Sequence, residues 1–346
     1  MSVKVDASQN VLVASARGEL RKLNATGATV WVRPFGSSVD IDANGEIFVA
    51  GTFEGQLQLG SSRTLAAAGG TDAFVAKLDE DGRVQFAVAL GGAGNESATS
   101  IAAGVDGVVV SGAGLGTVKL DASDGSTTWQ RSVEGAVAMD GAGNVVVVGA
   151  LTGTASFDRS LTSAGGEDVL VVKLSPDGEY LWSESFGDAA PKQLAQSVAI
   201  DSSNAVLVGG VVDGAVSFGG DVVTIPAGTC PSEAHCGDQA GFVLKLDQAG
   251  SFVWSKSLGP APDVSGLAAG ADGSVYAAGS YPGDVAPYRT ALLVGFDAKG
   301  SKLDLPAYDD RPGAGHATAV DGCSDVLFGF AAADTGQTYV AKIVSP

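Results

Sequence analysis

Short apolar runs recur along the chain and are separated by turns rich in glycine and aspartate. Runs such as VVVVGAL and VLVVKL are apolar at consecutive positions, which is typical of strands buried on both faces. No segment has the periodicity of a helix. The runs begin at Val11, Ile47, Val108, Val145, Val206, Val275 and Val326. Seven repeats in 346 residues average about 49 residues each, near the 40–50 residues that are typical of propeller blades.

Each repeat contains four predicted strands. The first ends in aspartate, as in AVAMD (136–140) and SVAID (197–201), and the second is the apolar run. The third carries a Lys-Leu pair, and the fourth follows a glycine turn such as SPDG. The shared lysines are Lys22, Lys77, Lys119, Lys173, Lys245 and Lys342. We interpret them as structural residues that pair with the turn aspartates.

One position in the fourth strand is aromatic in five repeats. Its occupants are Trp31, Phe86, Trp129, Trp182 and Trp254, with Asp304 in the sixth repeat. All four tryptophans of the chain therefore share one position. An aromatic binding stripe is one interpretation, but regular placement favours a large ring that packs between neighbouring blades.

These patterns predict an all-β fold, a seven-bladed β-propeller with four antiparallel strands per blade. The last blade ends at YVAKIVSP and is expected to lack its outer strand. We predict a single domain over residues 1–346. Its blades are expected at about 1–36, 37–92, 97–134, 135–190, 195–260, 263–308 and 315–346.

The chain of 346 residues is acidic, with 39 Asp and Glu against 20 Lys and Arg and a net charge of −19. Nucleic acids and anionic membrane surfaces require basic side chains, so neither is an expected partner. No apolar run reaches about 18 residues, so we predict no membrane insertion. The start, MSVKVDASQNVLVA, lacks a signal pattern. We expect that an export signal has been removed.

Three cysteines bear on the cellular compartment. Cys230 and Cys236 lie close together in TCPSEAHCGD, and a disulfide between them would indicate an oxidising compartment. Two free thiols, or a metal site that also uses His235, are the alternatives, although no fourth metal ligand is evident. We expect Cys323 to be an inert buried thiol.

Two phrases resemble the bacterial β-propeller repeat known as SBBP. They are LTSAGGEDVLVVKLSPDGEYLWSESFGD (161–188) and AAAGGTDAFVAKLDEDG (66–82). The resemblance implies an extracytoplasmic protein, periplasmic, lipoprotein-anchored or secreted. It implies no catalytic residues and no agreed ligand.

The phrases LNATGATVW and LDASDGSTTW also resemble the docking repeat of pyrroloquinoline-quinone propellers. Those enzymes are longer, have more blades, and often carry an adjacent cysteine pair that this chain lacks. We interpret this second resemblance as convergence of blade packing.

No catalytic constellation emerges from the sequence. The chain has two histidines, His235 and His316, neither near a nucleophile motif, and it has no GxSxG stretch. A glycosidase-like carboxylate pair stays open, although most aspartates fall in turns, where they bind local backbone groups. The turns 42–45 and 79–82 hint at calcium but lack the glutamate of a calcium loop. We therefore predict no cofactor, with Ca²⁺ as the alternative.

Long insertions between strands two and three mark a candidate binding face in blades two, four, five and six. Loops on a rigid scaffold commonly carry binding residues. The interblade segment 307–316 is expected on the same face. The candidates are Tyr281, Asp284, Tyr288, Arg289, Asp309, Asp310, Arg311, His235 and His316.

The sequence therefore favours a non-enzymatic extracytoplasmic scaffold, expected to be a monomer, that binds a protein or glycan through this face. One alternative is a carboxylate-dependent hydrolase or lyase at the mouth of the central channel. Another is a sensor module of a larger receptor or kinase.

Overall fold

The structure is a computed structural model. It describes residues 1–60, 63–104, 106–220, 222–224, 239–260, 263–282, 289–305, 313–321, 325–332 and 338–343. Throughout these ranges the regular structure is β, and the described residues form 28 strands. The all-β prediction is therefore confirmed.

Consecutive strands form small antiparallel sheets. Sheet 1 contains β1 (Ser2–Val5), β2 (Val11–Ala14), β3 (Leu20–Leu23) and β4 (Thr29–Arg33). Sheet 2 contains β5 (Ser38–Ile41), β6 (Ile47–Leu59), β7 (Arg63–Leu78) and β8 (Val84–Leu90). Sheet 3 contains β9 (Ser100–Gly104), β10 (Gly107–Gly112), β11 (Gly116–Leu120) and β12 (Thr127–Arg131). Sheet 4 contains β13 (Ala136–Met139), β14 (Val145–Ser156), β15 (Ser160–Leu174) and β16 (Tyr180–Phe186).

Of the last three sheets, one has four strands and two have three strands within the described residues. Sheet 5 contains β17 (Gln193–Ile200), β18 (Val206–Asp213), β21 (Gln239–Leu246) and β22 (Phe252–Pro260), and the hairpin β19 (Val216–Ser217) and β20 (Val222–Val223) lies between β18 and β21 along the chain. Sheet 6 contains β23 (Asp263–Ala269), β24 (Val275–Pro282) and β25 (Arg289–Phe296). Sheet 7 contains β26 (Gly313–Val320), β27 (Val326–Ala332) and β28 (Thr338–Ile343).

The predicted fourth strand of the sixth repeat does not form within the described residues. Only one isolated bridge, Phe296 with Lys302, pairs that segment with β25. The physical reason is local: Asp304 stands where the other repeats have an aromatic ring, and it is exposed. A carboxylate gains nothing by entering an apolar gap, so the segment has little to hold it against its neighbours.

The chain divides into two compact units, Met1–Val147 with Leu174–Glu179 and Val148–Lys173 with Tyr180–Pro346. In the first unit, β1 contacts β5, β5 contacts β9, and β9 contacts β13. In the second unit, β17 contacts β23, and β23 contacts β26. The first strand of a sheet therefore packs beside the first strand of the next sheet.

Apolar clusters fill the space between neighbouring sheets. In the first unit, one cluster joins Leu12 and Trp31 of sheet 1 to Val49 and Phe74 of sheet 2. A second joins sheets 2 and 3, and in the other unit a third joins sheets 5 and 6. Consecutive residues of the apolar runs are fully buried because each sheet packs on both faces, as the unbroken runs predict.

The long insertions of repeats two and four are β-hairpins instead of irregular loops. Strands β6 and β7 stay paired as far as Leu59 and Arg63, well beyond the part of sheet 2 in which β5 and β8 also pair. Strands β14 and β15 are similarly long. We call the described residues 53–60 and 63–71 the first hairpin extension and residues 151–167 the second. The alternating segment LQLGSSRTLAA carries the signal for this pairing.

Candidate functional site

Each tryptophan of the repeat position donates a hydrogen bond to the next sheet. The indole nitrogens of Trp31 and Trp129 lie 3.0 and 2.8 Å from the carbonyl oxygens of Glu80 and Pro176. Trp182 and Trp254 reach the carbonyls of Gln248 and Ala298 in the same way. Every acceptor is the second residue of the turn that follows the third strand of its sheet. These rings therefore act as anchors between sheets, which leaves no aromatic stripe free for a ligand at this position.

The repeated lysines lie opposite the aromatic residues and use the same turns. Lys22 pairs with Trp31 across β3 and β4, beside a bulge that recurs in other sheets. Its ammonium group donates to the carbonyl of Glu80, which also accepts from Trp31, and it lies 3.2 Å from Asp6 Oδ2. Lys119 repeats the arrangement with Asp106, at 2.7 Å, and the carbonyl of Pro176.

Buried carboxylates of the first turn complete these anchors. Lys245 Nζ lies 2.8 Å from Asp201 Oδ2, and both side chains are almost fully buried. Burial raises the pKa of Asp201, but hydrogen bonds from Lys245, Ser203 and the Ala205 amide outweigh it, so the net pKa is lowered. The same balance lowers the pKa of Asp6, where burial is offset by Asn10 and Lys22.

A second recurring arrangement lies at the end of sheet 2 that is far from the turn between β7 and β8. The connection after β8 crosses the base of the first hairpin extension, with Gly70 N donating to the Gly94 carbonyl and Glu96 N donating to the Thr71 carbonyl. A Cβ on Gly69 would lie 2.5 Å from the Gly92 carbonyl oxygen, so only glycine allows the two backbones to approach. We call residues 68–72 with 91–96 the first crossing.

The motif Gly-Gly-x-Asp repeats this crossing in the other unit. Here Glu167 N donates to the Pro191 carbonyl, and Gly165 and Gly166 face the carbonyls of residues 188–191. We call residues 164–168 with 187–193 the second crossing. At both crossings, the connection to the next sheet meets the hairpin between the second and third strands at one end of a sheet.

The aspartate that ends each motif is buried with one oxygen unpartnered. Asp72 Oδ2 accepts the Ala68 amide at 2.9 Å, and Asp168 Oδ2 accepts the Ala164 amide at 2.8 Å. Asp72 is 1% exposed and Asp168 is 3% exposed. The Oδ1 atom of each is buried without a hydrogen-bond partner, a costly arrangement for a carboxylate.

A cavity of about 360 Å³ opens beside the first crossing. Its polar wall includes Glu96, Thr127 and Gln130, and Leu115 and Val118 line its apolar side. Glu96 is half-buried, and its Oε2 accepts the Gly92 amide at 2.8 Å. The cavity therefore gives solvent and small solutes access to one carboxylate of the crossing.

Each hairpin extension presents uncharged polar groups to solvent. On the first, Gln56, Gln58 and Thr64 share the exposed face, and Thr64 Oγ1 donates to Gln58 Oε1 at 2.6 Å. On the second, Thr154 and Thr162 are exposed and joined by a 2.9 Å hydrogen bond. Sequence reasoning missed these residues because their insertions were interpreted as loops.

The side chains of the sequence-predicted binding residues lie outside the described part of the structure. Tyr281 and Arg289 belong to β24 and β25, paired through Thr290 and Pro282, and His316 falls at the bulge of β26. The remaining candidates, Asp284, Tyr288, Asp309, Asp310, Arg311 and His235, fall outside the described residues altogether. The same is true of Cys230, Cys236 and Cys323.

The turn aspartates considered for calcium serve their own backbone. Asp42 Oδ1 accepts the amides of Asn44 and Glu46, and Asp79 Oδ1 accepts those of Asp81 and Arg83. In the described ranges no cluster of three or more His, Cys, Asp or Glu side chains has metal-binding geometry. The described carboxyl groups with a clear pKa shift are all shifted downward, the direction opposite to that of a general acid. No described helix has the length and apolarity needed to cross a membrane.

Comparisons with known proteins give matches in structure only. No protein-family model matches the chain, and no curated protein sequence matches it. The fold is similar to the C-terminal WD40 domain of Sif2, at 10% identity and a TM-score of 0.51 over 99% of this chain and 81% of that one. It is also similar to the computationally designed Ika8 protein, at 14% identity and a TM-score of 0.52 over 99% and 95% of the two chains.

A third structure, BamB from Moraxella catarrhalis, matches at 14% identity and a TM-score of 0.48, over 98% of this chain and 92% of that one. At identities this low, a structural match is evidence for the fold alone. That evidence comes from the two matches with a TM-score above 0.5. WD40 repeats build propellers from small four-stranded sheets. The chain is an all-β repeat protein whose small antiparallel sheets have a propeller arrangement.

Proposed function

We propose that this protein is a non-enzymatic, extracytoplasmic binding scaffold that holds a protein or glycan through the connections between strands two and three. In this proposal the seven sheets are seven blades of SBBP type, and the molecule acts as a monomer. The nine candidate residues at 235, 281–289 and 309–316 belong to the proposed surface. The observation that carries the proposal is the build of the two hairpin extensions.

A hairpin extension combines a fixed backbone with an exposed polar face. In the first, Leu57 and Leu65 pair across the strands and pack against the apolar cluster of sheets 1 and 2, while Gln58 and Thr64 pair on the other face. Packing on one side reduces the entropy lost when a partner binds on the other. Amide and hydroxyl groups suit a neutral partner, and the net charge of −19 disfavours an acidic one.

The test is a quantitative pull-down from an envelope extract, combined with a glycan array. One variant carries Gln56→Lys and Thr64→Lys on the exposed face of the first hairpin extension. The control carries Ala25→Lys and Ala249→Lys, two exposed positions in turns that follow third strands, and it adds the same two positive charges as the hairpin variant. Both variants change the net charge in the positive direction, so the comparison isolates position from charge.

We expect one partner or glycan to be held by the wild type and the control and reduced at least tenfold by the hairpin variant. Equal loss in both variants would indicate a general charge effect, and equal capture by all three would exclude the first hairpin extension. Either of those results would contradict the proposed surface.

A further inference from the structure

We propose that the first crossing binds a divalent cation of the calcium class between Asp72 and Glu96. The proposal does not depend on the identity of the scaffold's partner. It starts from two carboxylates that converge on Gly91, which begins the segment after β8. The point where a Cβ of Gly91 would lie is 2.6 Å from Glu96 Oε2 and 2.8 Å from Asp72 Oδ1.

The second observation is the unpartnered oxygen of Asp72. Its Oδ1 is buried, accepts no hydrogen bond, and points toward the space that it shares with Glu96. Among the described residues, no lysine or arginine pairs with either carboxylate. Two neighbouring carboxylates without a basic partner repel each other, and a cation bound between them would offset that repulsion.

The surroundings favour calcium over smaller ions. The segment 91–96 is glycine-rich, and the backbone carbonyls of residues 92–94 lie against Gly69 and Gly70 of the same crossing. Calcium accepts six to eight oxygen ligands in a flexible arrangement, whereas magnesium demands a rigid octahedron. Glu96, Gly91 and Gly92 also line the 360 Å³ cavity, which provides an entry path from solvent.

The second crossing is not part of this site, but it shows the same buried aspartate oxygen in the motif Gly-Gly-x-Asp. Asp168 repeats the buried unpartnered Oδ1, and two nearby residues, Gln193 and Asp213, also have buried oxygens without partners. Gly-Gly-x-Asp therefore places an unsatisfied carboxylate oxygen at the same point in both units. Glu96 provides a second carboxylate at the first crossing, which is why the proposal names that crossing.

The experiment is calorimetric titration of CaCl₂ into the full chain after chelator treatment, with thermal unfolding measured alongside. Asp72→Asn and Glu96→Gln each remove one charge while keeping the side-chain shape. Glu134→Gln, at an exposed position, is the matched control. MgCl₂ and NaCl titrations establish selectivity.

We expect saturable calcium binding and a calcium-dependent rise in Tm. Both variants should weaken binding at least tenfold and lose the rise, and the control should stay within twofold of the wild type. Glu96 is half-buried, so its variant remains informative even if Asp72→Asn fails to fold. Binding unchanged by Glu96→Gln would overturn the proposal. A metal-free wild type that shows no binding heat and no change in Tm on addition of CaCl₂ would also overturn the proposal.

Discussion

At the scale of single residues, the anchor of each sheet depends on a glycine in the neighbouring turn. Gly178 has φ of +80°, and a Cβ there would lie 2.8 Å from Trp129 Cδ2. Glycine is therefore required here for two reasons: the backbone is left-handed, and the Trp129 ring leaves no room for a Cβ. Gly27 has a nearly identical φ of +83°, but no atom lies within 4 Å of the position of its Cβ.

This pair of glycines allows the two purposes to be separated. We expect Gly27→Ala to cost about 1–2 kcal/mol, the strain of a left-handed alanine. Gly178→Ala should cost clearly more, because the added methyl group also displaces the Trp129 ring from the Pro176 carbonyl. Urea denaturation of both variants measures the difference. Equal losses in the two variants would mean that ring contact contributes nothing at this turn.

At the scale of elements, the hairpin extensions are part of the packed structure. Leu59, near the tip of the first extension, is 1% exposed and belongs to the cluster that joins sheets 1 and 2. Its neighbours on the other face, such as Gln56, are exposed. The alternation follows from the strand period of two and divides the element into a packed face and a display face.

Substitutions on the two faces should therefore have unequal effects. We expect Leu59→Ala to lower the free energy of unfolding by about 2–5 kcal/mol, the usual range for a buried leucine. Gln56→Ala, on the display face, should change it by less than about 0.5 kcal/mol. Chemical denaturation of the two variants provides the comparison. If the insertion were an unpacked loop, both changes would be small.

The elements also show which features the sequence could reveal. The Lys-Leu pairs, Trp31 and its equivalents are local and periodic, so the sheets followed from the pattern. The hairpin extensions had a visible signal in the alternation of Leu57, Leu59 and Leu65, but the insertion lengths favoured loops. The first crossing had none, because the approach of Glu96 to Asp72 depends on two segments that meet only in the folded chain.

At the scale of the whole molecule, charge couples stability to pH. The described carboxyl groups with clear shifts are Asp6, Asp121, Asp201, Asp272 and Asp297, and the pKa of each is lowered by folding. A carboxyl whose pKa falls on folding contributes stability that is fully present above its unfolded pKa of about 3.9. That contribution is lost as the pH falls through the folded pKa.

The protein should therefore lose stability below about pH 4, and Asp201 should account for part of the loss. Asp201→Asn should be less stable than the wild type at pH 7, since Lys245 is left buried without its partner. Its stability should also fall less steeply on acidification. Asp177→Asn, at an exposed position, is the control. Parallel pH profiles for the wild type and Asp201→Asn from pH 7 to pH 2 would contradict this account.

The docking of Trp31, Trp129, Trp182 and Trp254 onto neighbouring turns has a consequence for how such a chain can evolve. A gene segment that encodes one repeat brings both an anchor and a receiving turn, so duplication of whole repeats preserves every interface. Insertions between strands two and three lie at the other end of the strands, away from both parts. New sequence can therefore accumulate there, and surface specificity can diverge while the architecture is inherited unchanged.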